Sequence, residues 1–315
     1  MLNSINHFIE ELPLDVEPRG LYEPVSYVMS LGGKRLRPQL MLMSYALWKE
    51  DTDAVLPQAV ALEMYHNFTL LHDDVMDNAD MRRGMPTVHK RWDVNTAILS
   101  GDNMLCMAFR MMGECMDAEV FDCFARTTIE INHGQQYDID FESRQDVTES
   151  EYMEMIRLKT SVLLACAMKI GALRAGAPKE DVERLYRFGE CMGLAFQLQD
   201  DYLDVYGDPK VFGKAIGGDI MENKKTFMLI NALLRAGGKD KEELLHWIGG
   251  RDFDRQEKVS AVTALYDKLG IDKLAQSKIE DYYNMAIQSL DEVNVTEERK
   301  VALRTFAEQI LKREK

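Results

Sequence analysis

Two long segments of this chain have the pattern of helices that lack a polar face. In residues 54–81 and 180–206, leucine, methionine, valine and aromatic side chains fall on nearly every side of a helical turn. A helix that is apolar all round is buried among other helices, whereas a surface helix keeps a charged side. The chain is therefore predicted to fold as a helical bundle with these two segments inside it.

Helical periodicity continues through most of the remaining sequence. Breaks fall at glycine and proline pairs, and no run of alternating residues bounded by turns indicates a sheet. Because no Pro/Ser-rich linker and no long repeat divides the chain, we predict a single all-α domain that spans residues 1–315. The predicted helices cover residues 21–31, 38–49, 54–81, 94–116, 120–141, 150–175, 180–206, 222–236, 241–248, 255–269, 272–292 and 296–313.

The charge and the cysteines exclude several classes of protein. A formal net charge of −15 argues against a nucleic-acid-binding protein, which needs a basic face. The N-terminus has no signal-peptide pattern, and no apolar stretch is long enough to cross a membrane. The five cysteines lack the spacing of a zinc site, so we expect reduced core thiols. These features predict a soluble, cytoplasmic protein.

An Asp-Asp-x-x-Asp cluster stands near the end of each apolar segment. The clusters are Asp73, Asp74 and Asp77 in the first segment and Asp200, Asp201 and Asp204 in the second. Carboxylates four residues apart share a helix face and repel one another, and burying them is unfavourable unless a cation offsets their charge. One cluster alone could be a solvated helix end, but two on apolar helices favour a metal site. Ligands that are all oxygen suit Mg²⁺.

Basic residues accompany these acids along the chain. Any one basic loop is usually solvated surface, but several beside metal-type carboxylates indicate a site for phosphate groups. No P-loop motif is present. The residues are Lys34, Arg35, Arg37, Arg82, Arg83, Lys159, Lys214, Lys224 and Lys225.

Seven motifs follow one another along the chain: GGKRLRP at 32–38, HDDVMD at 72–77, RRGMPT at 82–87, GQQYD at 134–138, KT at 159–160, FQLQDDYLD at 196–204 and FGKAIGGD at 212–219. Together they resemble the motifs of the trans-isoprenyl diphosphate synthases in the polyprenyl synthetase family, and in particular the short-chain farnesyl and geranylgeranyl type. The departures are small: Asn223 stands where many relatives have Gly, and Met228 where many have Pro.

The resemblance implies a fold, a reaction and partners. The fold would be a large isoprenoid synthase-like bundle around a deep central cavity, and the protein would be a homodimer. The reaction would be the head-to-tail condensation of isopentenyl diphosphate with dimethylallyl, geranyl or farnesyl diphosphate. The cofactor would be Mg²⁺, as three ions with substrate bound, with Mn²⁺ as a substitute.

The resemblance also implies a role for each matched residue. In the two clusters, Asp73, Asp77 and Asp200 would bind Mg²⁺ ions that clamp the allylic diphosphate, and Asp74, Asp201 and Asp204 would support them, partly through water. The allylic diphosphate would be held by Arg82, Lys159, Thr160, Gln197 and Lys214. Isopentenyl diphosphate would be held by Lys34, Arg37, His66 and Arg83. Further candidates for diphosphate binding or closure of the site are Lys224, Gln135 and Asp138.

Product length is predicted to depend on two aromatic residues upstream of the first cluster. Phe68 precedes Asp73 by five residues, which is about 7–8 Å along a helix, and Tyr65 lies one turn further away. A bulky residue here resembles the floor that limits short-chain enzymes to C15 or C20 products. The alternative is that Phe68 belongs to the ordinary core.

Three other functions are compatible with parts of the sequence. A di-iron carboxylate protein would use Glu63-x-x-His66 and Glu243-x-x-His246, but it leaves both aspartate clusters unexplained. A terpene cyclase would normally replace the second cluster with a different metal triad. A non-catalytic partner subunit would be expected to lose some acidic or basic motifs, and all are retained here.

Overall fold

The computed structural model describes residues 1–208, 216–250 and 253–311 of the chain. These residues are almost entirely helical, which confirms the predicted all-α class. None of the described helices is long and apolar enough to cross a membrane. The helices are α1 (Leu2–Glu10), α2 (Arg19–Ser30), α3 (Leu36–Tyr45), α4 (Leu56–Met76), α5 (Val88–Arg91), α6 (Val94–Gly113), α7 (Ala118–Ser143), α8 (Glu149–Ile156), α9 (Val162–Ala175), α10 (Lys179–Tyr206), α11 (Gly218–Glu222), α12 (Phe227–Arg235), α13 (Gly238–Gly249), α14 (Arg255–Leu269), α15 (Ile271–Asp291) and α16 (Glu297–Leu311).

The first of two compact units comprises Met1–Ala125 and Cys166–Glu183. Helix α4 is central to this unit and packs against α1, α2, α3 and α6. Its side chains are buried on several faces, as the absence of a polar stripe predicts, and Leu62 and Met64 are fully buried.

The second unit comprises Arg126–Ala165 and the described residues from Arg184 onward. Its core surrounds α12, which packs against α8, α14 and α15, while α16 packs on α15. Phe227 on α12 and Tyr266 on α14 belong to the same buried apolar cluster. The assignment of the whole chain to one domain stays a prediction.

The helix predicted over residues 54–81 ends earlier than expected. Helix α4 stops at Met76, and Asn78 adopts a left-handed conformation with φ of 49°. The chain then forms a two-residue antiparallel hairpin of β1 (Met81–Arg82) and β2 (Met85–Pro86). Its turn residues, Arg83 and Gly84, both have positive φ, so the local backbone cannot continue a helix. The hairpin is too short to produce an alternating sequence pattern.

Other helix predictions also need correction. The segment predicted over residues 150–175 is interrupted by a π-helical turn at Arg157–Ser161, which separates α8 from α9. The segment predicted over residues 222–236 contains a break, because α11 ends at a left-handed Asn223 and α12 begins after Thr226. Thr226 caps α12 by accepting a hydrogen bond from the Leu229 amide. The sequence pattern missed α1 altogether.

Candidate active site

The first aspartate cluster lies at the C-terminal end of α4. Asp73 and Asp77 are one turn apart, since the Asp77 amide donates to the Asp73 carbonyl oxygen at 2.8 Å. Asp73 is half-buried, Asp74 is buried and Asp77 is exposed. The carbonyl end of a helix is partly negative and disfavours added carboxylates, so a cation at this end would be stabilising.

Arg82 of the hairpin supplies one such cation to Asp74. Its Nε lies 2.8 and 2.9 Å from the two carboxylate oxygens of Asp74, and one terminal nitrogen lies 2.7 Å from Oδ1. The guanidinium therefore forms a bidentate ion pair with the buried carboxylate. This pairing fixes the hairpin against the end of α4, and the unexpected stop of that helix is what allows it.

Arg83, the next residue, connects the hairpin to the GGKRLRP loop. Its guanidinium donates to the carbonyl oxygen of Gly32 and, at 3.3 Å, to the side chain of Asn67. A Cβ atom on Gly33 would lie 3.1 Å from the Arg83 guanidinium carbon. Glycine at this position leaves room for the arginine to lie against the loop backbone.

A buried polar network connects the same loop to α4. Arg35 donates to Glu63 at 2.8 Å and to the Met29 carbonyl oxygen at 2.7 Å. Asn67 donates to the carbonyl oxygen and to the carboxylate of Glu63, at 2.8 and 3.2 Å. The chain of contacts thus runs from Arg35 through Glu63 and Asn67 to Arg83. Because Glu63 serves Arg35 and Asn67, the structure does not support it as an iron ligand.

His66 lies among the arginines of this region. Burial lowers the pKa of His66 well below its usual value, and the charges of Arg37, Arg83, Arg82 and Arg35 lower it further. The imidazole is therefore neutral at pH 7 inside a cationic environment, which suits an anionic ligand. Arg37 is half-buried at the start of α3, and Lys34 is exposed on the preceding loop.

The second aspartate cluster lies near the C-terminal end of α10, in the other unit. Asp201 is buried and accepts hydrogen bonds from the Tyr152 hydroxyl and, at 3.1 Å, from the Gln197 amide. Thr160 donates to the Gln197 side-chain oxygen at 3.1 Å. Two residues predicted to bind allylic diphosphate, Thr160 and Gln197, are thus connected to this cluster, and Asp200 is half-buried beside them.

Asp204 holds the backbone at the start of α11. Its two carboxylate oxygens accept from the amides of Gly218 and Asp219 at 3.2 and 3.0 Å, and its carbonyl oxygen accepts from the Gly217 amide at 2.6 Å. These bonds place Asp219 close to Asp201. Burial and the charge of Asp219 raise the pKa of Asp201 to about 7.

Lys224 lies near the same carboxylates. Burial disfavours its charged form, but the charges of Asp138, Asp219 and Asp201 outweigh that effect and raise the pKa of Lys224. Its backbone neighbour Asn223, a departure from the family pattern, has a left-handed φ of 53° and accepts from the buried Lys258 at 2.7 Å. Asparagine tolerates this conformation better than most residues, which explains how it replaces glycine here.

Lys159 is held on the π-helical turn by Asp138 of α7, with 2.5 Å between Nζ and Oδ2. Gly134 permits the close approach of the two elements, since a Cβ atom there would lie 2.8 Å from the Leu158 carbonyl carbon. Gln135 is half-buried next to it. The remaining candidate lysine, Lys214, lies outside the described residues.

Tyr65 and Phe68 belong to an aromatic cluster on and beside α4. The Tyr65 ring lies 5.6 Å from that of Phe68 and 5.4 Å from that of Phe124, and the Phe68 ring lies 4.7 Å from that of His72. Phe109 extends the cluster from α6, 4.9 Å from Phe124. Tyr65 is buried and Phe68 half-buried, so the two residues named from the sequence form part of one packed aromatic surface.

Comparison with known proteins identifies the family. The polyprenyl synthetase family model matches residues 18–266. The chain belongs to the polyprenyl synthetase family. Geranylgeranyl diphosphate synthase of Methanosarcina mazei is 41% identical over 287 residues, which are 89% of this chain and 87% of that protein. Geranylfarnesyl diphosphate synthase of Natronomonas pharaonis is 37% identical over 318 residues, with 89% and 92% covered.

A solved structure with a similar fold supports the same assignment. The crystal structure of a geranylgeranyl pyrophosphate synthase superposes with a TM-score of 0.92 at 44% identity, covering 100% of this chain and 99% of that one. This polyprenyl synthetase is therefore a prenyltransferase with the isoprenoid synthase fold.

The described carboxylates of this polyprenyl synthetase do not by themselves supply all the ligands that a divalent metal needs. Among the described residues, no three His, Cys, Asp or Glu side chains are grouped so as to hold an ion. Mg²⁺, however, usually takes one or two protein carboxylates and completes its shell with water and substrate phosphates. An all-oxygen donor set, with the buried Asp201 beside Asp219 and its pKa raised, fits such an ion.

Several residues that hold the GGKRLRP loop and the second aspartate cluster in place could not be recognised from the sequence. Asn67 was not assigned a role. Arg35 was counted among the basic residues of a phosphate site, but it is buried and paired with Glu63. Tyr152, which binds Asp201, and Lys258, which binds Asn223, come from helices without any motif. Their contacts are formed by tertiary packing, so no local sequence pattern predicts them.

Proposed function

We propose that this prenyltransferase joins isopentenyl diphosphate head to tail to an allylic diphosphate and that its main product is geranylgeranyl diphosphate. The observation that carries the proposal is that every acidic and basic motif of the family is present, with cations already placed beside the buried acids. Arg82 lies on Asp74, and Lys224 lies near Asp201. The relatives named as geranylgeranyl diphosphate synthases support the C20 product.

The reaction needs charge stabilisation more than it needs a nucleophilic side chain. The carbon–oxygen bond of the allylic diphosphate breaks, and its electron pair leaves with the diphosphate. The double bond of isopentenyl diphosphate then forms a carbon–carbon bond with the allylic carbon, and loss of a proton restores an alkene. When bound, Mg²⁺ would neutralise negative charge that develops on the departing diphosphate.

Fixed cations of the chain would share this work. Arg82 and Lys159 would bind oxygens of the allylic diphosphate, and their present partners, Asp74 and Asp138, hold both side chains in place before substrate arrives. Donors that are already oriented stabilise developing charge at little reorganisation cost. Thr160, Gln197 and Lys214 are proposed to assist them, as the resemblance implies.

Isopentenyl diphosphate would bind in the first unit at the GGKRLRP loop. Lys34, Arg37 and Arg83 supply positive charge, and the neutral His66 can donate a hydrogen bond without adding to their mutual repulsion. The aromatic cluster around Tyr65 and Phe68 would receive the growing prenyl chain. Apolar side chains also exclude water, which would otherwise trap the allylic cation.

We also propose a cytoplasmic homodimer with three Mg²⁺ ions bound in the substrate complex. The resemblance is the main support for both. Exposed apolar side chains on α6, namely Val94, Ile98 and Leu99, give the dimer a further argument, because apolar residues grouped on one helix can mark an interaction site. Sedimentation equilibrium of the wild type and of a Leu99→Glu variant would test it, and a monomeric wild type would refute it.

One assay tests the proposed reaction directly. The purified chain is incubated with radiolabelled isopentenyl diphosphate and a C5, C10 or C15 allylic primer, with Mg²⁺, Mn²⁺ or a chelator, and products are separated by chain length. We expect metal-dependent incorporation and a main C20 product. Asp73→Asn should abolish turnover, whereas Asp281→Asn, at an exposed position on α15, should not.

The same assay separates the alternatives. A cyclic hydrocarbon formed from a prenyl diphosphate would indicate a terpene cyclase. A folded, metal-replete chain without any incorporation would indicate a non-catalytic subunit. A main product of C25 or longer would leave the reaction class in place and refute the proposed chain length.

A further inference from the structure

Two cysteines from different helices meet inside the first unit. Cys123 on α7 and Cys166 on α9 have their sulfur atoms 3.9 Å apart, although 43 positions separate them in the sequence. Both are in the reduced thiol form. A disulfide needs about 2.0 Å between its sulfur atoms, so the two sulfur atoms must approach each other by about 2 Å.

The two thiols differ in access and in reactivity. Cys166 is completely buried, whereas Cys123 is half-buried and can be reached from solvent. The hydrogen bond with Cys166 lowers the pKa of Cys123, and the charge of Lys169 lowers it further against the effect of burial. A thiol with a lowered pKa is present more often as thiolate, which is the form that attacks. This arrangement matches an attacking cysteine backed by a resolving one.

Other cysteines of the chain lack this combination. Burial raises the pKa of Cys191 to about 11, so its thiol is unreactive. Cys106 is exposed, contrary to the expectation that all five thiols lie in the core. Cys115 donates to the Met112 carbonyl oxygen at 3.3 Å. Only the described contact between Cys123 and Cys166 offers both an accessible thiol and a partner.

The pair lies beside the aromatic cluster. Phe124 follows Cys123 directly on α7, and its ring contacts that of Tyr65. Cys166 is close enough to Tyr65 that its charge, after burial, contributes to the raised pKa of that phenol. A bond between the two sulfurs would therefore join two helices next to the residues proposed to limit product length.

We propose that Cys123 and Cys166 are a thiol modification site that forms an intramolecular disulfide with a low-molecular-weight disulfide as oxidant. The Cys123 thiolate attacks one sulfur of the oxidant and expels the other half as a thiolate. Cys166 then loses its proton and attacks the Cys123 sulfur, which expels the second half. Two protein thiols and one small disulfide thus become one protein disulfide and two small thiols.

The experiment uses the full chain and reads mass instead of turnover. Reduced protein is incubated with oxidised glutathione, remaining thiols are alkylated, and the digest is analysed by mass spectrometry with and without dithiothreitol. We expect a cross-link between the peptides that contain Cys123 and Cys166, reversed by the reductant. Cys166→Ser should instead accumulate glutathione on Cys123, because the resolving thiol is gone. Cys123→Ser should form no cross-link.

Matched controls keep the outcome decisive. Cys191→Ser should form the same cross-link as the wild type, and circular dichroism should show that each variant is folded. The proposal is overturned if oxidised wild type carries glutathione on Cys106 alone, or if folded Cys166→Ser leaves Cys123 unmodified. Neither result depends on catalysis, so a failed activity assay would not be confused with a failed modification.

A second readout links the disulfide to product length, and this part rests on the proposed function. Since the bond would restrict movement of Phe124 and Tyr65, oxidised wild type should give a higher C15 to C20 product ratio than reduced wild type. The ratio of Cys123→Ser should not respond to the oxidant. An unchanged ratio in protein shown to carry the disulfide would refute this link.

Discussion

Removal of the Glu63 carboxylate should strongly destabilise the protein. Glu63 and Arg35 form an ion pair of 2.8 Å in which both side chains are only 3% exposed. In Glu63→Ala the guanidinium of Arg35 would remain buried without its counter-charge, and Asn67 would lose one acceptor. Breaking a buried pair from one side costs about 3–5 kcal/mol. Because folded proteins are stable by about 5–15 kcal/mol, the loss would be a large share of the total.

Urea unfolding monitored by circular dichroism measures this loss as a lower midpoint. The control is Lys268→Met, which removes the exposed partner of a 2.5 Å ion pair with Asp240. It should lower the free energy of unfolding by only about 0.2–1 kcal/mol. The double variant Arg35→Met/Glu63→Leu should recover much of the stability, because apolar residues can replace a buried pair. A Glu63→Ala protein within about 1 kcal/mol of the wild type, on the same scale of unfolding free energy, would refute the reasoning.

Three further predictions concern the site. Because the pKa of His66 is lowered in the folded state, the unfolded chain binds its proton first as pH falls below about 6.5, so the free energy of unfolding should decrease there. Urea midpoints at pH 7.5 and 5.5 should therefore differ more for the wild type than for His66→Asn, and equal differences would contradict this. Lys258→Met, which strips a donor from Asn223, should cost about 1–3 kcal/mol of unfolding free energy, but less in an Asn223→Gly background; additive losses would argue against the contact. Phe68→Ala should lengthen the prenyl product on chromatography, and an unchanged distribution would remove Phe68 from that role.

Helical periodicity predicted the fold class correctly but not every boundary. The burial of α4 followed from its missing polar face, since that property is carried by side chains along one helix. The end of the same helix depends on the left-handed Asn78 and on the hairpin that returns Arg82 to Asp74. These are tertiary effects, and the local sequence continues to look helical through them.

The candidate site could be predicted as residue types and only partly as contacts. The two aspartate clusters were identified because carboxylates on apolar helices need a cation. The partners of individual acids were not, since Tyr152 reaches Asp201 from 49 positions away and Arg35 reaches Glu63 from 28. Their metal-binding and substrate-binding roles stay predictions.

Gly134 has a consequence for how the protein can vary. Any larger residue there would push α7 away from the π-helical turn and separate Asp138 from Lys159. An alanine, usually the mildest replacement on a helix, would thus be more damaging here than many changes to a charged surface residue. Directed evolution of this chain toward new substrates should therefore keep Gly134 and introduce substitutions at other positions.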